Sequence, residues 1–238
     1  MAHTIVHRAA TRDHSDHGWL KSYHTFSFGM NYNPERVNFG ALRVLNDDWV
    51  SGGQGFGEHP HDNMEIISIP LSGALQHEDS MDNVAVIESG EIQVMSAGTG
   101  IYHKEFNKNR GEAVQFLQIW LFPNQRNVTP RYQQLRYDGL LKPNQFTQIL
   151  SPDQHDDGVW IYQDAWFHIG KFDQDTVIDH TLKQSDHGLY VFVLEGSAVV
   201  RGTTLERRDG LGIWETEQIK IKATPGAHLL LMEVPMKF

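Results

Sequence analysis

Two short segments of this sequence carry nitrogen and oxygen ligands at a spacing that suits a metal ion. His59 and His61 are separated by one residue, and His103 and Glu105 repeat that spacing. Because side chains of an extended chain alternate between faces, both members of each pair leave their strand on the same side. Two such pairs on facing strands would surround one point with three neutral imidazoles and one carboxylate. We therefore predict a metal site formed by His59, His61, His103 and Glu105.

The predicted ligands limit the chemistry of the site. Imidazole nitrogen and carboxylate oxygen favour a divalent transition metal over Mg or Ca, without selecting among the transition metals. Four protein ligands leave an octahedral ion with two open positions, where a substrate with adjacent oxygens can bind and become more acidic. Glu105, at the edge of the metal, is the predicted general base that accepts the proton.

A second carboxylate competes with Glu105 for the fourth ligand position. Glu65 follows His61 by four residues, so a regular strand would turn its side chain toward the metal. The other interpretation of Glu65 is a surface carboxylate, or one that only contacts a ligand. Among the remaining histidines, His14, His17, His24, His180 and His187 belong to no such pair, and we predict that they are structural. Contact with metal or substrate is the alternative, and His24, which lies among aromatic residues, is its best candidate.

The elements that must position these residues are short strands separated by turn residues. From Gly53 onward, apolar alternating runs end at Gly, Asn or Asp, and no long amphipathic helix competes with them. This pattern indicates an all-β protein with antiparallel barrels. The predicted strands of the first half are Met64 to Ile69, Ala74 to Asp79, Ala85 to Glu88, Ile92 to Met95 and Val114 to Leu121.

The last of these strands is predicted to close the barrel and line its pocket. Phe116, Gln118 and Trp120 share one of its faces. We assign Trp120 to the core. Four other aromatic residues are better candidates for apolar walls beside the metal, namely Phe56, Tyr102, Phe106 and Phe116.

Bulk properties exclude several classes of protein. The chain has 238 residues, a formal charge of −10 and no cysteine. The negative charge disfavours direct nucleic-acid binding, and the lack of cysteine excludes disulfides and thiolate metal sites. No apolar run approaches the ~20 residues of a membrane helix. We predict a cytoplasmic protein with no membrane contact.

The chain has room for two domains, and a weak internal repeat supports that number. Residues 190–196 superpose on residues 67–73, each segment ending in glycine, and Gly210 superposes on Gly90. In this alignment His59 falls on Leu182 and His103 on Ala223. We predict a metal-binding lobe at 1–130, a polar, strand-poor crossover at 131–152, and a degenerate lobe without metal at 153–238.

The motifs around the predicted ligands resemble those of the pirin family, which belongs to the cupin superfamily. The resemblance is dense in the first half of the chain and sparse in the second. It implies a bicupin fold of two jelly-roll barrels, Glu105 as the fourth ligand, and Fe(II) as the expected ion, with Ni, Mn, Co, Cu or Zn as other possibilities. The matching segments are 17–20, 24–28, 46–48, 53–56, 59–61, 64–65, 96–100, His103 and 129–131.

The resemblance also implies an activity. Metal-bearing bacterial pirins cleave flavonols such as quercetin with O2 and release carbon monoxide, so a flavonol-like aromatic and O2 are the expected partners. Animal pirins are instead iron-dependent nuclear cofactors that bind transcription factors, which leaves a redox-sensing protein with a protein partner as an alternative. A cupin isomerase or decarboxylase that needs no O2 is a third possibility. We expect a monomer.

Overall fold

The computed structural model describes residues 2–238, and strands dominate it. Two short 3-10 turns, Ala9–Thr11 and Asp138–Leu140, are the helical elements of this part of the chain, and no helix in it is long and apolar enough to cross a membrane. The strands are β1 (His3–His7), β2 (Asp13–Asp16), β3 (Leu20–His24), β4 (Leu42–Val50), β5 (Gly55–His61), β6 (Glu65–Ser72), β7 (Ala74–Asp79), β8 (Val84–Glu88), β9 (Glu91–Ser96), β10 (Ile101–Asn107), β11 (Val114–Leu121), β12 (Arg131–Arg136), β13 (Thr147–Ser151), β14 (Val159–Trp160), β15 (Trp166–Phe172), β16 (Thr176–Thr181), β17 (His187–Glu195), β18 (Ala198–Val200), β19 (Thr203–Leu205), β20 (Gly210–Trp214), β21 (Gln218–Ala223) and β22 (Ala227–Pro235).

These strands form two lobes, each built from a seven-stranded and a four-stranded sheet. The first lobe has the orders β12-β9-β6-β11-β4-β3-β2 and β5-β10-β7-β8. The second has β1-β20-β17-β22-β15-β13-β14 and β16-β21-β18-β19. The shared order of the central strands confirms the predicted all-β bicupin fold, and the pairing is antiparallel apart from β13 with β14.

The two large sheets are apolar on both faces because they contribute to two cores. In β11, Leu117 and Ile119 pack with Phe192 and Leu230 of the second lobe in one buried cluster. Phe116, on the opposite face of β11, packs inside the first barrel. This alternation follows the period-two pattern of the sequence, and it makes the surface between the lobes a hydrophobic core.

A buried ion pair also joins the lobes. Arg208 donates through Nε to Asp47 Oδ2 at 2.8 Å, and Arg12 Nη2 lies 3.9 Å from the same oxygen. All three side chains are 5 % exposed or less.

Asp47→Ala is expected to lower the free energy of unfolding by about 3–5 kcal/mol, because it leaves two buried guanidinium groups without their carboxylate. Asp179→Ala, which removes an exposed partner 3.8 Å from Lys220, is expected to cost less than about 1 kcal/mol. Denaturant unfolding of both variants checks this, and equal losses would contradict it.

The predicted domain boundaries do not coincide with the sheets. β1 pairs with β20 of the second lobe, and β12 pairs with β9 of the first, so each half of the chain donates a strand to the other lobe. The segment 131–152, predicted to be strand-poor, contains β12 and β13. The polar composition of this segment misled the prediction, because strand positions that are not buried can be polar as well.

The internal repeat is visible in the turns and in the register. Gly73 and Gly196 end equivalent strands with φ values of +74° and +70°, a backbone region that disfavours other residues. The strand register, counted from these glycines, gives the equivalent positions in the second lobe. Through the pairing of β21 with β18, Ile219 and Ile221 are equivalent to His103 and Glu105. Through the pairing of β21 with β16, His180 is equivalent to His59. The alignment inferred from the sequence was therefore shifted both before and after the aligned glycines, because it ignored differences in loop length between the two lobes.

Candidate metal centre

Strand β10 is the centre of the four-stranded sheet that carries the predicted ligands. It pairs with β5, so that His103 lies opposite His59 and Ile101 opposite His61. The register shifts between His103 and Glu105, which places Phe56 opposite Glu105. Directly paired residues of neighbouring strands share a face of the sheet. The parity inferred from the sequence therefore directs the three imidazoles toward the same interior.

The three imidazoles converge. Their ring centroids lie 4.5 Å apart for His59 and His103, 4.8 Å for His59 and His61, and 4.9 Å for His61 and His103. One nitrogen from each ring lies within 4.8 Å of the other two. The structure thus brings His103 together with His59 and His61, which lie more than 40 residues earlier in the sequence.

The protonation of these rings favours metal binding. His59 Nδ1 lies 2.8 Å from the carbonyl oxygen of Gly57, so this nitrogen carries the proton and Nε2 keeps its lone pair. Burial, reinforced by the neighbouring imidazoles, lowers the pKa of His61 to about 4 and that of His103 to about 3. Both rings are therefore neutral at pH 7, the form in which histidine binds metals.

The spacing of the nitrogens also fits a metal. His59 Nε2 and His103 Nε2 are 3.0 Å apart. Two ligands at right angles on an ion with metal–nitrogen bonds of about 2.1 Å would lie about 3.0 Å from each other. The donor set and its spacing therefore match a transition-metal ion without rearrangement of these two rings.

Glu105 lies beside the histidines with its carboxylate held by two neighbours. It is 1 % exposed, its Oε1 accepts from Ser68 Oγ at 3.0 Å, and its Oε2 accepts from Gln118 Nε2 at 2.6 Å. Its carboxylate clusters within 4.8 Å of nitrogens of His103 and His77, whereas the tight group of His59, His61 and His103 does not include it. The role of Glu105 as fourth ligand and base stays a prediction.

Glu65 occupies a different environment. It is 1 % exposed and accepts from Ser96 Oγ at 2.7 Å, and the positive charge of Arg131 acts on its carboxylate. Neither cluster of metal-binding side chains found in residues 2–238 includes it. Its alternation with His61 was interrupted at Asp62–Met64, where the chain leaves β5 and Asn63 adopts φ of +45°. Parity cannot be counted across such a break.

Glu65 is expected to make stability depend on pH. Burial raises its pKa to about 7 from an ordinary 4.5, against the hydrogen bond from Ser96. Because the pKa is higher in the folded state than in the unfolded state, protonation of Glu65 stabilises the fold. This contribution is fully present below pH 4.5 and is lost as the pH rises through 7. Glu65→Gln, which cannot ionise, is therefore expected to gain stability over the wild type at pH 8 relative to pH 4, by up to about 3 kcal/mol. Denaturant unfolding of metal-free protein at both pH values checks this, and parallel pH profiles would contradict it.

A cavity of about 520 Å³ opens onto the imidazoles. Apart from them and Glu105, its lining residues are Ser15, His17, Leu20, Ser22, His24, Phe28, Gly29, Met30, Asn31, Asn46, Asp48, Phe56, Gln118 and Trp120. This size and mixed character are typical of a small-molecule site.

The aromatic wall of the cavity differs from the predicted one. Trp120, assigned to the core from sequence, lines the cavity and packs edge-on against Phe28 and His61, at centroid distances of 5.5 Å and 5.0 Å. Of the four aromatic residues predicted to form the wall, Phe56 alone lines the cavity, whereas Tyr102 is 54 % exposed. Strand parity gave the correct face of β11 for Trp120, but residue preference favoured the core.

Strands β3 and β4 add a buried polar wall. Asp48 accepts a short hydrogen bond from Ser22 Oγ, and burial, reinforced by the charges of Asp47 and Glu105, raises its pKa to about 7. Beside it, His24 Nδ1 and Asn46 Oδ1 have no hydrogen-bond partner within residues 2–238. His17 and His24, both predicted to be structural, therefore have side chains that line the cavity.

Sequence reasoning also missed His77 and Asp79 of β7. Their side chains are fully buried, His77 Nε2 lies 3.0 Å from Asp79 Oδ2, and His77 Nδ1 lies 3.5 Å from His103 Nδ1. They have the same two-residue spacing as His59 and His61, on a strand that the sequence predicted correctly. That spacing was the signal that could have identified them.

Comparison with known proteins follows the same division into two lobes. Residues 6–121 match the model of the family described as Pirin, and residues 148–234 match that of the quercetinase C-terminal cupin domain. The chain is 39 % identical to "Quercetin 2,3-dioxygenase" of Escherichia coli K12, over 97 % of this chain and 98 % of that protein. It is 36 % identical to a "Pirin-like protein" of Caulobacter vibrioides, over 92 % of this chain and 94 % of that protein.

Comparison with solved structures leads to the same family. The crystal structure of YhhW from Escherichia coli superposes with a TM-score of 0.93 at 38 % identity, covering 98 % of both chains. A crystal structure described as bacterial pirin YhhW in complex with nickel(II) gives a TM-score of 0.92 at 37 % identity, over 98 % of this chain and 99 % of that chain. With both lobes matched along nearly their whole length, this chain belongs to the pirin family.

Proposed function

We propose that this protein is a metal-dependent dioxygenase that cleaves flavonols such as quercetin with O2. The observation that carries the proposal is the convergence of three imidazoles, those of His59, His61 and His103, on a cavity with both aromatic and buried polar walls. The similarity to a protein named quercetin 2,3-dioxygenase over nearly the whole chain supports it.

His59, His61, His103 and Glu105 would hold the metal. When bound, it would lower the pKa of a coordinated substrate hydroxyl and supply redox chemistry toward O2. Fe(II) is the expected ion, and the nickel(II) reported in the related YhhW structure makes Ni the first alternative to test.

In this proposal, Glu105 would hold the proton that a flavonol loses from its 3-hydroxyl. Ser68 and Gln118 donate to its two carboxylate oxygens and so fix the orientation of the group. Flavonol cleavage consumes O2 and releases carbon monoxide without an external reductant, and the ring-opened acid takes the proton back. A single carboxylate that accepts and then returns a proton satisfies that balance.

The walls of the cavity account for an aromatic substrate with hydroxyl groups. Phe28, Phe56 and Trp120 offer apolar surface to its rings and exclude water. On the polar wall, the side chains of His24 and Asn46 line the cavity and supply hydrogen-bonding groups that suit hydroxyls of the substrate. A substrate without hydroxyl groups would offer these polar side chains no hydrogen bond, which disfavours its binding.

The test is elemental analysis of the purified protein, followed by oxygen uptake and carbon monoxide release with quercetin. A flavone that lacks only the 3-hydroxyl is the control substrate. One transition-metal ion per chain, with uptake for quercetin and none for the flavone, is the expected result. Metal without oxygen uptake would favour the redox-sensing protein or the nonoxidative cupin enzyme, and a chain that takes up no transition metal would overturn the proposal.

Other expectations from the sequence stay predictions. They are a monomeric state, a cytoplasmic location, no direct nucleic-acid binding and a protein partner as an alternative to a substrate. Size-exclusion chromatography with light scattering tests the first of these.

A further inference from the structure

Two buried residues behind the candidate ligands form a hydrogen-bonded chain with one of them. β10 lies between β5 and β7, and in this register Asp79 is opposite His103 while His77 is opposite Glu105. The His77 and Asp79 side chains are fully buried, and the Tyr132 ring packs against His77 at a centroid distance of 4.8 Å. His77 and Asp79 therefore lie on the side of His103 away from His59.

The environment of Asp79 keeps its carboxylate ionised. Its Oδ1 accepts from the backbone N–H groups of Met81 and Asn83 at 2.9 Å and 3.2 Å, and its Oδ2 accepts from Asn83 Nδ2 at 2.8 Å. Burial raises the pKa of Asp79, but the hydrogen bonds from His77, Asn83 and Met81 outweigh it and give a net lowering. An ionised carboxylate only accepts, so the proton between Asp79 and His77 lies on His77 Nε2.

The location of that proton determines the next one. With its Nε2–H directed at Asp79, His77 turns Nδ1 toward His103 as the acceptor, at 3.5 Å from His103 Nδ1. His103 then donates from Nδ1, and its own lone pair is at Nε2, which lies 3.0 Å from His59 Nε2. In the opposite tautomer of His103 the proton would lie on Nε2, where it would block coordination of a metal ion.

We propose that Asp79 and His77 act as positioning residues that hold His103 in the tautomer and orientation that bind the metal through Nε2. This inference rests on the proposed metal site and deepens it. Carboxylates and other acceptors behind a ligating imidazole typically change metal affinity 10–100-fold, because they fix the ring and raise its basicity. His59 has a simpler version of the same device in its bond to the Gly57 carbonyl.

A different role for His77 would be that of a metal ligand. One atom each of His77, His103 and Glu105 lie within 4.8 Å of one another, which suits a second ion. The hydrogen-bonded chain Asp79–His77–His103, here called the relay, explains the contacts better. Asp79 already occupies His77 Nε2, and a second ion would force His103 to bridge two dications. The two roles differ in stoichiometry: a relay predicts one ion per chain, and a ligand role predicts two.

The test compares Asp79→Asn and His77→Phe with the wild type. In Asp79→Asn the backbone N–H groups of Met81 and Asn83 hold the amide oxygen, so its NH2 faces His77 and forces the wrong tautomer. Glu233→Gln is the matched control, because Glu233 Oε1 lies 3.3 Å from His187 in a buried pair of the second lobe. The measurements are zinc affinity by chelator competition, zinc stoichiometry, and ¹⁵N NMR of the histidine side chains.

The expected result is one zinc per wild-type chain, with His103 protonated at Nδ1. Zinc affinity should be about 10–100-fold weaker in both β7 variants and unchanged in Glu233→Gln. The hydrogen-bonded Nδ1–H signal of His103 should be lost in the two β7 variants alone, an effect that general destabilisation would not produce.

Unchanged affinity and an unchanged Nδ1–H signal in Asp79→Asn would overturn the relay and leave the metal site intact. Two zinc ions in the wild type and one in His77→Phe would overturn it in favour of a ligand role. A wild-type chain that binds no zinc or other transition metal would instead remove the proposed function, and the relay with it.

Discussion

Replacement of His103 by alanine is expected to weaken metal binding strongly, so that dialysis lowers the metal content and oxygenase turnover falls with it. His103 is the one residue common to both clusters of metal-binding side chains, and its Nε2 lies 3.0 Å from His59 Nε2. Tight protein sites bind Zn²⁺ with about 10–16 kcal/mol over four ligands, so one lost imidazole costs about 3 kcal/mol, a weakening of roughly 10²-fold. Elemental analysis after dialysis, and affinity by chelator competition, measure the loss.

His155→Ala is the control for this variant, because His155 is an exposed histidine of the second half. It should keep the metal content and turnover of the wild type. Circular dichroism of His103→Ala separates metal loss from unfolding. A folded His103→Ala protein with one tightly held ion per chain would remove His103 from the ligand set.

Glu105→Gln is expected to reduce turnover far more than it reduces metal content. The glutamine keeps the size of the side chain and one oxygen for Ser68 or Gln118, but it loses the negative charge that accepts a proton. General base catalysis typically contributes 10²–10⁴-fold to a rate, so at saturating metal kcat should fall by at least about 100-fold. Oxygen uptake with quercetin at increasing metal concentration gives both quantities.

Glu65→Gln is the matched control, since Glu65 is equally buried and is also bonded by a serine hydroxyl. It should retain the turnover of the wild type at saturating metal. If Glu65→Gln loses activity and Glu105→Gln retains it, the assignment of the two carboxylates is reversed.

Local information in the sequence was sufficient for the strands. Val114–Leu121 and Ala74–Asp79 were predicted with the bounds that the structure shows, because alternation and turn residues depend only on near neighbours. The same alternation predicted the convergence of His59, His61 and His103, because a two-residue spacing puts both side chains on one face whatever lies opposite.

Local sequence patterns did not predict which strands pair with each other. The exchange of β1 and β12 between lobes depends on which sheet edge is free, and no local pattern encodes that. The position of Glu65 could not be counted through the left-handed turn at Asn63.

The sequence by itself therefore determined the all-β class, the repeat and the common face of His59 and His61, since these follow from residue type and the two-residue period of a strand. Only the tertiary structure decided what surrounds them. It placed Asp79 and His77 behind His103, and His24 and Asp48 on the cavity wall. The physical reason is that hydrogen bonding, burial and pKa depend on strands distant in sequence, whose pairing is fixed by packing of the whole chain.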